Sequence, residues 1–467
     1  MFTVKSAWVG PVVAGFLALV VGCGAAPQGV RHAQTLMEKG DYTGAERAAD
    51  TELARFPKHP VLWRIKIQAP LERGDSTQAV KRYKQWHHIR KHYDETAMRA
   101  MAVTTLDHAL RASAAEVRRS AVRAVARMSD KRLRVSLAKL LDDKDETVAA
   151  ATAVVLAAKN KRALATAERL LKSANDSARA TAVIALGRVA KRRQVAVAAL
   201  KDKAPRVRRA GVSALSSLEG SATAELTAVA KSDADGTVRA SALQALARRK
   251  LDSSLTLAKL ALADKYVGSR LAAIGLLRHS GKEGQDLLLG LTNSADAFVA
   301  LRAAVALVHL SGKRRPGAVD RALNSSEWTV RAAALNALGE VVEKPEAIRL
   351  ARRALTDVRV EVRLTAARAL ARNGLNGAAM GVFQTALNDA RESIRIQGAI
   401  QLLRLDEGSG RRALAKLLRS KNVSTRTAAV RAYSRADNAT LTLIAALADK
   451  APEVRVVAAE SLIRLLR

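Results

Sequence analysis

The chain has 467 residues and a formal net charge of +36, and 49% of its residues are hydrophobic but only 3% aromatic. Its apolar content is therefore largely Ala, Leu and Val, which suits closely packed helices and argues against a base-stacking platform built from aromatic rings. The single cysteine, Cys23, excludes an internal disulfide and a cysteine zinc cluster.

Residues 1–22 read as an export signal. Lys5 precedes a mainly apolar stretch, Ala7 to Val21, too short to cross a bilayer comfortably and of the right length for the apolar region of a signal peptide. Val20-Val21-Gly22-Cys23 then resembles the bacterial lipobox. That resemblance implies lipidation at Cys23, a mature chain held to a membrane by acyl groups without a transmembrane helix, and, because Gly24 follows the cysteine, an outer-membrane location facing the periplasm. Residues 23–29 are expected to form a tether.

Residues 30–101 contain a turn pattern that occurs twice. Gly40-Asp41-Tyr42-x-x-Ala45 recurs as Gly74-Asp75-Ser76-x-x-Ala79, and Pro57 lies 12 residues after Ala45. The spacing resembles the tetratricopeptide repeat, although the usual early Trp is missing from the first copy.

From residue 102 to 467 one short pattern, Val-Arg-x-x-Ala-Val-x-Ala-Leu, recurs twelve times. Its first positions, called anchors below, are Val117, Val148, Ala178, Val207, Val238, Ser269, Val299, Val330, Val362, Ile394, Thr425 and Val454. A fixed period of 29 to 32 residues indicates a solenoid rather than one globular core. Four places after each anchor the residue is small, and eight places after it is apolar, so positions 0, 4 and 8 form one helical stripe. The pattern resembles HEAT repeats, in particular the HEAT-like repeats of phycobilisome lyases. The expected fold is all-α: a right-handed α-solenoid of about twelve HEAT-like helical hairpins, for example Arg132 to Leu141 followed by Glu146 to Ala157, preceded by tetratricopeptide-like hairpins.

Arginine follows the anchor at Arg118, Arg179, Arg208, Arg239, Arg270, Arg331, Arg363, Arg395, Arg426 and Arg455, with Ala149 and Ala300 as departures. An acidic residue commonly precedes it, as at Asp145, Asp176, Asp202, Asp235, Asp264, Asp296, Glu327, Asp357, Asp389 and Asp449. Such an acid favours a helix start. The HEAT resemblance implies in addition that these acids and arginines form a ladder through the stack.

Most of the positive charge falls in the repeats, and the ladder, being balanced, does not account for it. Ten places after the anchor stand Arg127, Arg188, Arg248, Arg372, Arg404, Arg435 and Arg464, with His279 and His309 in two other repeats. Arg123, Arg368 and Arg431 each sit one turn before a member of that set, where like charges repel by a few tenths of a kcal/mol. An anionic ligand would relieve that repulsion. A helix C-terminus also favours any cation through its dipole, so two readings of the row stand side by side. With Arg119, these arginines form the candidate surface for an anion or an acidic partner.

No other constellation marks chemistry. His88 and His92 have a spacing that can hold a metal on a helix, but Lys84, Arg90 and Lys91 nearby would repel a cation. Trp63, Trp86 and Trp328 read as packing residues, and no Gly-rich phosphate loop is present. Val456 and Val457 occupy solvent positions of most other copies, so the last helix is expected to dock a partner or a second copy. The reading is a non-enzymatic envelope lipoprotein without cofactor or metal. It acts as a protein-interaction scaffold through a basic surface, whose partner is an acidic protein segment or an anionic polymer or lipid of the envelope. Nucleic acid is disfavoured by export and by the scarcity of aromatics. The alternative is a HEAT-like enzyme or nucleic-acid binder of the DNA glycosylase or lyase kind.

Overall fold

The computed structural model describes residues 28–218, 222–249, 255–312, 314 and 316–466, which are helical with short connections and contain no strand. The signal region and Cys23 lie outside them. The described residues form two compact units, one of 28–140 with 414–466 and one within 141–413.

In the first unit two hairpins come first: α1 (Gln28–Glu38) with α2 (Tyr42–Arg55), and α3 (Pro60–Glu72) with α4 (Ser76–Arg90). Helix α1 already starts inside the stretch expected to be a tether. The recurring turn has a direct cause. Gly40 and Gly74 take φ of +79° and +89°, where a side chain would be strained, and end the first helix of each hairpin. Asp41 and Asp75 then cap the second helix by accepting from the backbone N–H groups of Gly44 and Gln78 at 2.8 and 2.9 Å.

Helix α5 (Glu95–Leu110) packs on α3, on α6 (Ala115–Val125) and on α7 (Lys131–Lys139). The boundary expected at residues 101/102 therefore falls inside a continuous helix. The junction lies at Asp94, which caps α5 and is buried. Its carboxylate accepts two bonds from Arg64 Nε, at 3.2 and 3.1 Å, one from Trp86 Nε1 at 3.0 Å and one from the Ala97 N–H. These bonds, led by those from the Arg64 guanidinium and the Trp86 indole, hold the Asp94 carboxyl below its ordinary range although burial alone would raise it. Trp63 and Trp86 are buried and stacked at 5.7 Å, the packing role expected of them.

A second polar knot ties the N-terminal hairpins to the repeats. Arg132 on α7 donates to Glu72 on α3 at 2.7 and 2.8 Å and to Asp107 on α5 at 3.0 and 3.1 Å. Nothing in the sequence periodicity points to this triad, because its members belong to three different elements.

The end of the chain closes the same unit. The last helix, Pro452–Leu465, lies on the helix Val423–Tyr433 before it and on α5 and α6, and Arg99 Nη2 donates to the Leu466 carbonyl at 2.8 Å. Val456 and Val457, 1% and 4% exposed, are covered there. The expectation that this apolar end is left for a partner or a second copy is thus corrected. The chain's own first repeat occupies the face that a terminal solenoid helix must otherwise shield with polar residues.

In the second unit, consecutive hairpins stack so that each second helix packs on the next, from Asp176–Val183 through Pro205–Ser216, Gly236–Ala247, Val267–Leu277, Ala297–Ser311, Trp328–Val341 and Val360–Arg372 to Glu392–Leu405. Among the described residues, all twelve second helices begin two residues before their anchor, as the period requires. Asp145, Asn175, Asp235, Asp296 and Asn422 cap their starts, while Pro205 and Pro452 take the first helical position, where a missing N–H costs nothing. The residue four places on is buried in every repeat and sets how close neighbours come. At Gly211 and Gly398 the approach is closest: a Cβ there would sit 2.8 Å from the Ala196 or Phe383 carbonyl oxygen. The apolar residues eight places on, such as Leu215, Leu246 and Leu370, complete the core, each contributing about 1.5–3 kcal/mol by burial.

Candidate binding surface

Two rows of arginine run along the second helices, one at each end, and the structure treats them differently. The first row follows the anchor. All ten of its members bend back toward the loop before the helix, and Nη1 donates to the carbonyl oxygens six and five residues earlier. Arg179 bonds Ser173 and Ala174 at 2.8 and 3.0 Å, Arg331 bonds Ser325 and Ser326 at 2.9 and 3.0 Å, and Arg455 bonds Asp449 and Lys450 at 2.8 and 3.3 Å. The hairpin turn is thereby closed by a side chain of its own second helix.

In Arg179, Arg208, Arg239, Arg270, Arg331 and Arg426 the rest of the guanidinium reaches the next repeat, whereas Arg395 pairs with Glu392 on its own helix at 3.0 Å. Arg179 meets Asp202 at 3.0 and 3.0 Å, Arg208 meets Asp233 at 2.7 and 2.8 Å, and Arg239 meets Asp264 at 2.7 and 2.6 Å. Arg331 with Asp357 and Arg426 with Asp449 repeat the same two-bond geometry. Such forks are stronger and more directional than single bonds. The hydrogen bond from Arg179 lowers the Asp202 carboxyl, that from Arg331 lowers Asp357, and that from Arg239 holds Asp264 far below the ordinary range.

Most acids expected in one ladder divide into two registers; three do not serve it, since Asp389 is bonded by Arg391 Nε at 3.1 Å, Glu327 makes no side-chain cap, and Asp176 follows the cap Asn175. Those five places before the anchor, Asp202, Asp233, Asp264, Asp357 and Asp449, receive the arginine and also accept the backbone N–H two residues on. Those three places before, Asp145 and Asp235, are helix caps. Asp296 does both, capping its own helix and pairing with Arg270 at 2.7 Å. Asp233 lies outside the set read from the sequence, since Asp235 obscured it.

The two repeats without the arginine explain themselves in this frame. After Ala149 and after Ala300, the position five places before the next anchor is Ser173 or Ser325 instead of Asp. Where the cation is missing its carboxylate is missing too, which avoids leaving a buried charge unpaired; Ser294 and Ser420 hold the same position after Arg270 and Arg395, which pair instead with Asp296 and Glu392. Ser173 and Ser325 still accept the local N–H, at 3.0 and 3.2 Å.

The second row stands at the far end of the same helices. Arg127, Arg188, Arg248, Arg372, Arg404, Arg435 and Arg464 are exposed, as are Arg123 and Arg431. Arg248 and Arg464 each reach back one repeat, to the Ser216 and Ser434 hydroxyls at 3.2 and 2.7 Å. His309 pairs with Glu340, which interrupts the row at 3.0 Å. Arg119 stands apart, paired with Glu116 on its own helix.

Arg372 and Arg404 lie close enough to Arg368 for their charges to act on it. No carboxylate pairs with any of the three among the described residues. Arg368 is half-buried, donates from Nη2 to Thr365 Oγ1 at 2.9 Å, and leaves its buried Nε without a partner. Burial, and then the charges of Arg372 and Arg404, push the Arg368 guanidinium below its ordinary value. A folded protein does not gain from three unneutralised cations in one place; a bound anion removes the cost.

Trp328 does not take the packing role expected of it. It is 36% exposed, unlike Trp63 and Trp86, and it lines an open groove of about 560 Å³. Its position at the first turn of a second helix, where other repeats carry Ala, Glu, Asp, Pro, Gly or Val, was the available signal.

A sequence-family profile described as HEAT repeats matches residues 163–247 and 315–404. No curated protein matches the chain. Among solved structures, the chain is similar to Kap121p, with 14% identity over 90% of this chain and 50% of that one and a TM-score of 0.29, so it spans about half of that protein's length. It is likewise similar to Kap95p, described with RanGDP, at 12% identity over 73% and 61% of the two chains and a TM-score of 0.29. A microtubule polymerase with TOG domain arrays matches at 12% identity over 71% of this chain and 100% of that one, with a TM-score of 0.22.

Proposed function

We propose that this stack of HEAT repeats is a non-enzymatic scaffold of the cell envelope that recruits an acidic protein segment through its second row of arginines. A repeat solenoid suits protein interaction because it offers an extended surface and no single cleft. What carries the reading is the contrast between the rows: the first is bonded inside the stack, while Arg368, Arg372 and Arg404 gather without a carboxylate. The two N-terminal hairpins, which share one Gly-Asp turn, are tetratricopeptide-like additions to the same stack, and the repeats are of the phycobilisome-lyase HEAT-like class.

Lipidation of Cys23 holds the protein to the outer membrane facing the periplasm, a reading that rests on Val20-Val21-Gly22-Cys23. Radioactive palmitate is then incorporated by the parent protein and not by Cys23→Ser; equal labelling of the two, or none in either, contradicts the anchor.

Polyglutamate is the probe for the surface. The Arg368→Gln, Arg372→Gln, Arg404→Gln protein is expected to bind it at least about tenfold more weakly and with a shallower dependence on salt, as removing cation contacts requires. The melting temperature stays the same or rises, since mutual repulsion is relieved. A clear fall in melting temperature with unchanged binding shows these arginines to be structural.

A further inference from the structure

Beyond the arginine rows, the repeats anchored at Val330 and Val362 form a groove that the periodicity does not require. Its walls are Trp328 and Val358, with Asn324, Arg353 and Arg359 around them. Val358 is 87% exposed, the largest exposure of any bulky apolar residue described. An apolar side chain held this far into water at a turn adds nothing to the stack.

The polar groups of the groove have a definite balance. Three arginines and one aspartate line it, and the aspartate, Asp357, is engaged by Arg331 at 2.7 and 2.9 Å. Arg359 lies over the Trp328 ring at 5.4 Å and reaches Glu361 at 3.5 Å. Arg353 has no carboxylate partner, and the Asn324 side chain has no hydrogen-bond partner, among the described residues. The groove thus offers an apolar pair, a free cation and a free amide within the width of two repeats. Trp and Arg are the side chains that most often dominate the energy of protein contacts.

We infer that this groove binds an extended peptide segment in which an aliphatic side chain is flanked by carboxylates. The aliphatic group covers Trp328 and Val358, a neighbouring carboxylate meets Arg353, and the Asn324 amide bonds the peptide backbone. The Arg359 guanidinium already occupies one face of the indole, which disfavours a nucleobase stacked there. A peptide of this kind satisfies both the exposed apolar surface and the excess positive charge; an anion alone leaves Val358 in water.

The probe is a fluorescent nonapeptide with a central leucine flanked by glutamates, titrated by anisotropy into the full chain. Binding is expected, and Val358→Asp and Trp328→Ala each weaken it about tenfold or more. Val358 is so exposed that Val358→Asp leaves thermal unfolding unchanged, which keeps the test sound if Trp328→Ala is less stable. Replacing the central leucine by serine costs the parent protein a similar factor. The inference is overturned if the peptide does not bind at about millimolar concentration, if Val358→Asp binds it within about twofold of the parent, or if the serine peptide binds as well as the leucine peptide. Displacement by single-stranded oligothymidylate that depends on Trp328 likewise overturns it.

Discussion

At the start of the second helices the arginines are taken up by the fold; at their ends they are exposed. Arg239 is buried, bonded to two carbonyls and to Asp264, whereas Arg248, nine residues on, is exposed and bonds only a serine hydroxyl. The residue type and the helix are the same. Position decides, because the first turn faces its own loop and the neighbouring repeat, and the last turn faces solvent. Net charge therefore says little about function here until the balanced part is removed.

The strongest way to break the comparison is at a rung. Arg239→Ala removes four bonds and leaves Asp264 partly buried without its cation, at a cost of about 3 kcal/mol. Urea unfolding, or hydrogen exchange across 236–264, measures it. Adding Asp264→Ser copies the natural pairs Ala149 with Ser173 and Ala300 with Ser325, and is expected to restore part of the loss. If the double variant is as unstable as the sum of two independent losses, the rung is not the unit described.

Acid sharpens the contrast with a smaller, graded effect. Asp202, Asp264 and Asp357 have depressed values, each chiefly through its arginine. Groups of this sign contribute stability that is fully present above the unfolded value of about 3.9 and is lost as pH falls through the folded values. Stability is thus expected to fall below about pH 4, and less steeply when Arg239→Ala and Asp264→Ser have removed a rung. An identical slope in both proteins contradicts the assignment.

Much of the fold was legible because it is periodic. The anchors fixed the phase of all twelve second helices, and the ten arginines were visible one place after them. Two features that share a stretch of loop are not separable by spacing: Asp233 and Asp235 sit two residues apart, and only the folded structure distinguishes the one that pairs from the one that caps. Contacts between elements far apart in sequence left no periodic trace. Arg132 with Glu72, and the last helix on α5 and α6, are of that kind, so the covered Val456 and Val457 read as a free apolar end. In the candidate surface, Arg372 and Arg404 could be placed by register. The orphaned Arg368 Nε and the exposed Trp328 depend on local burial, which sequence spacing does not carry.

Two charge-matched variants test the division of labour most directly: Arg179→Gln, Arg239→Gln, Arg331→Gln on one side and Arg368→Gln, Arg372→Gln, Arg404→Gln on the other, each measured for urea midpoint and polyglutamate affinity in the same buffer. The first set is expected to lower the midpoint with little change in affinity per folded molecule, and the second to lower affinity with the midpoint intact. Equal effects of the two sets on both quantities, or the reverse pattern, would contradict the account.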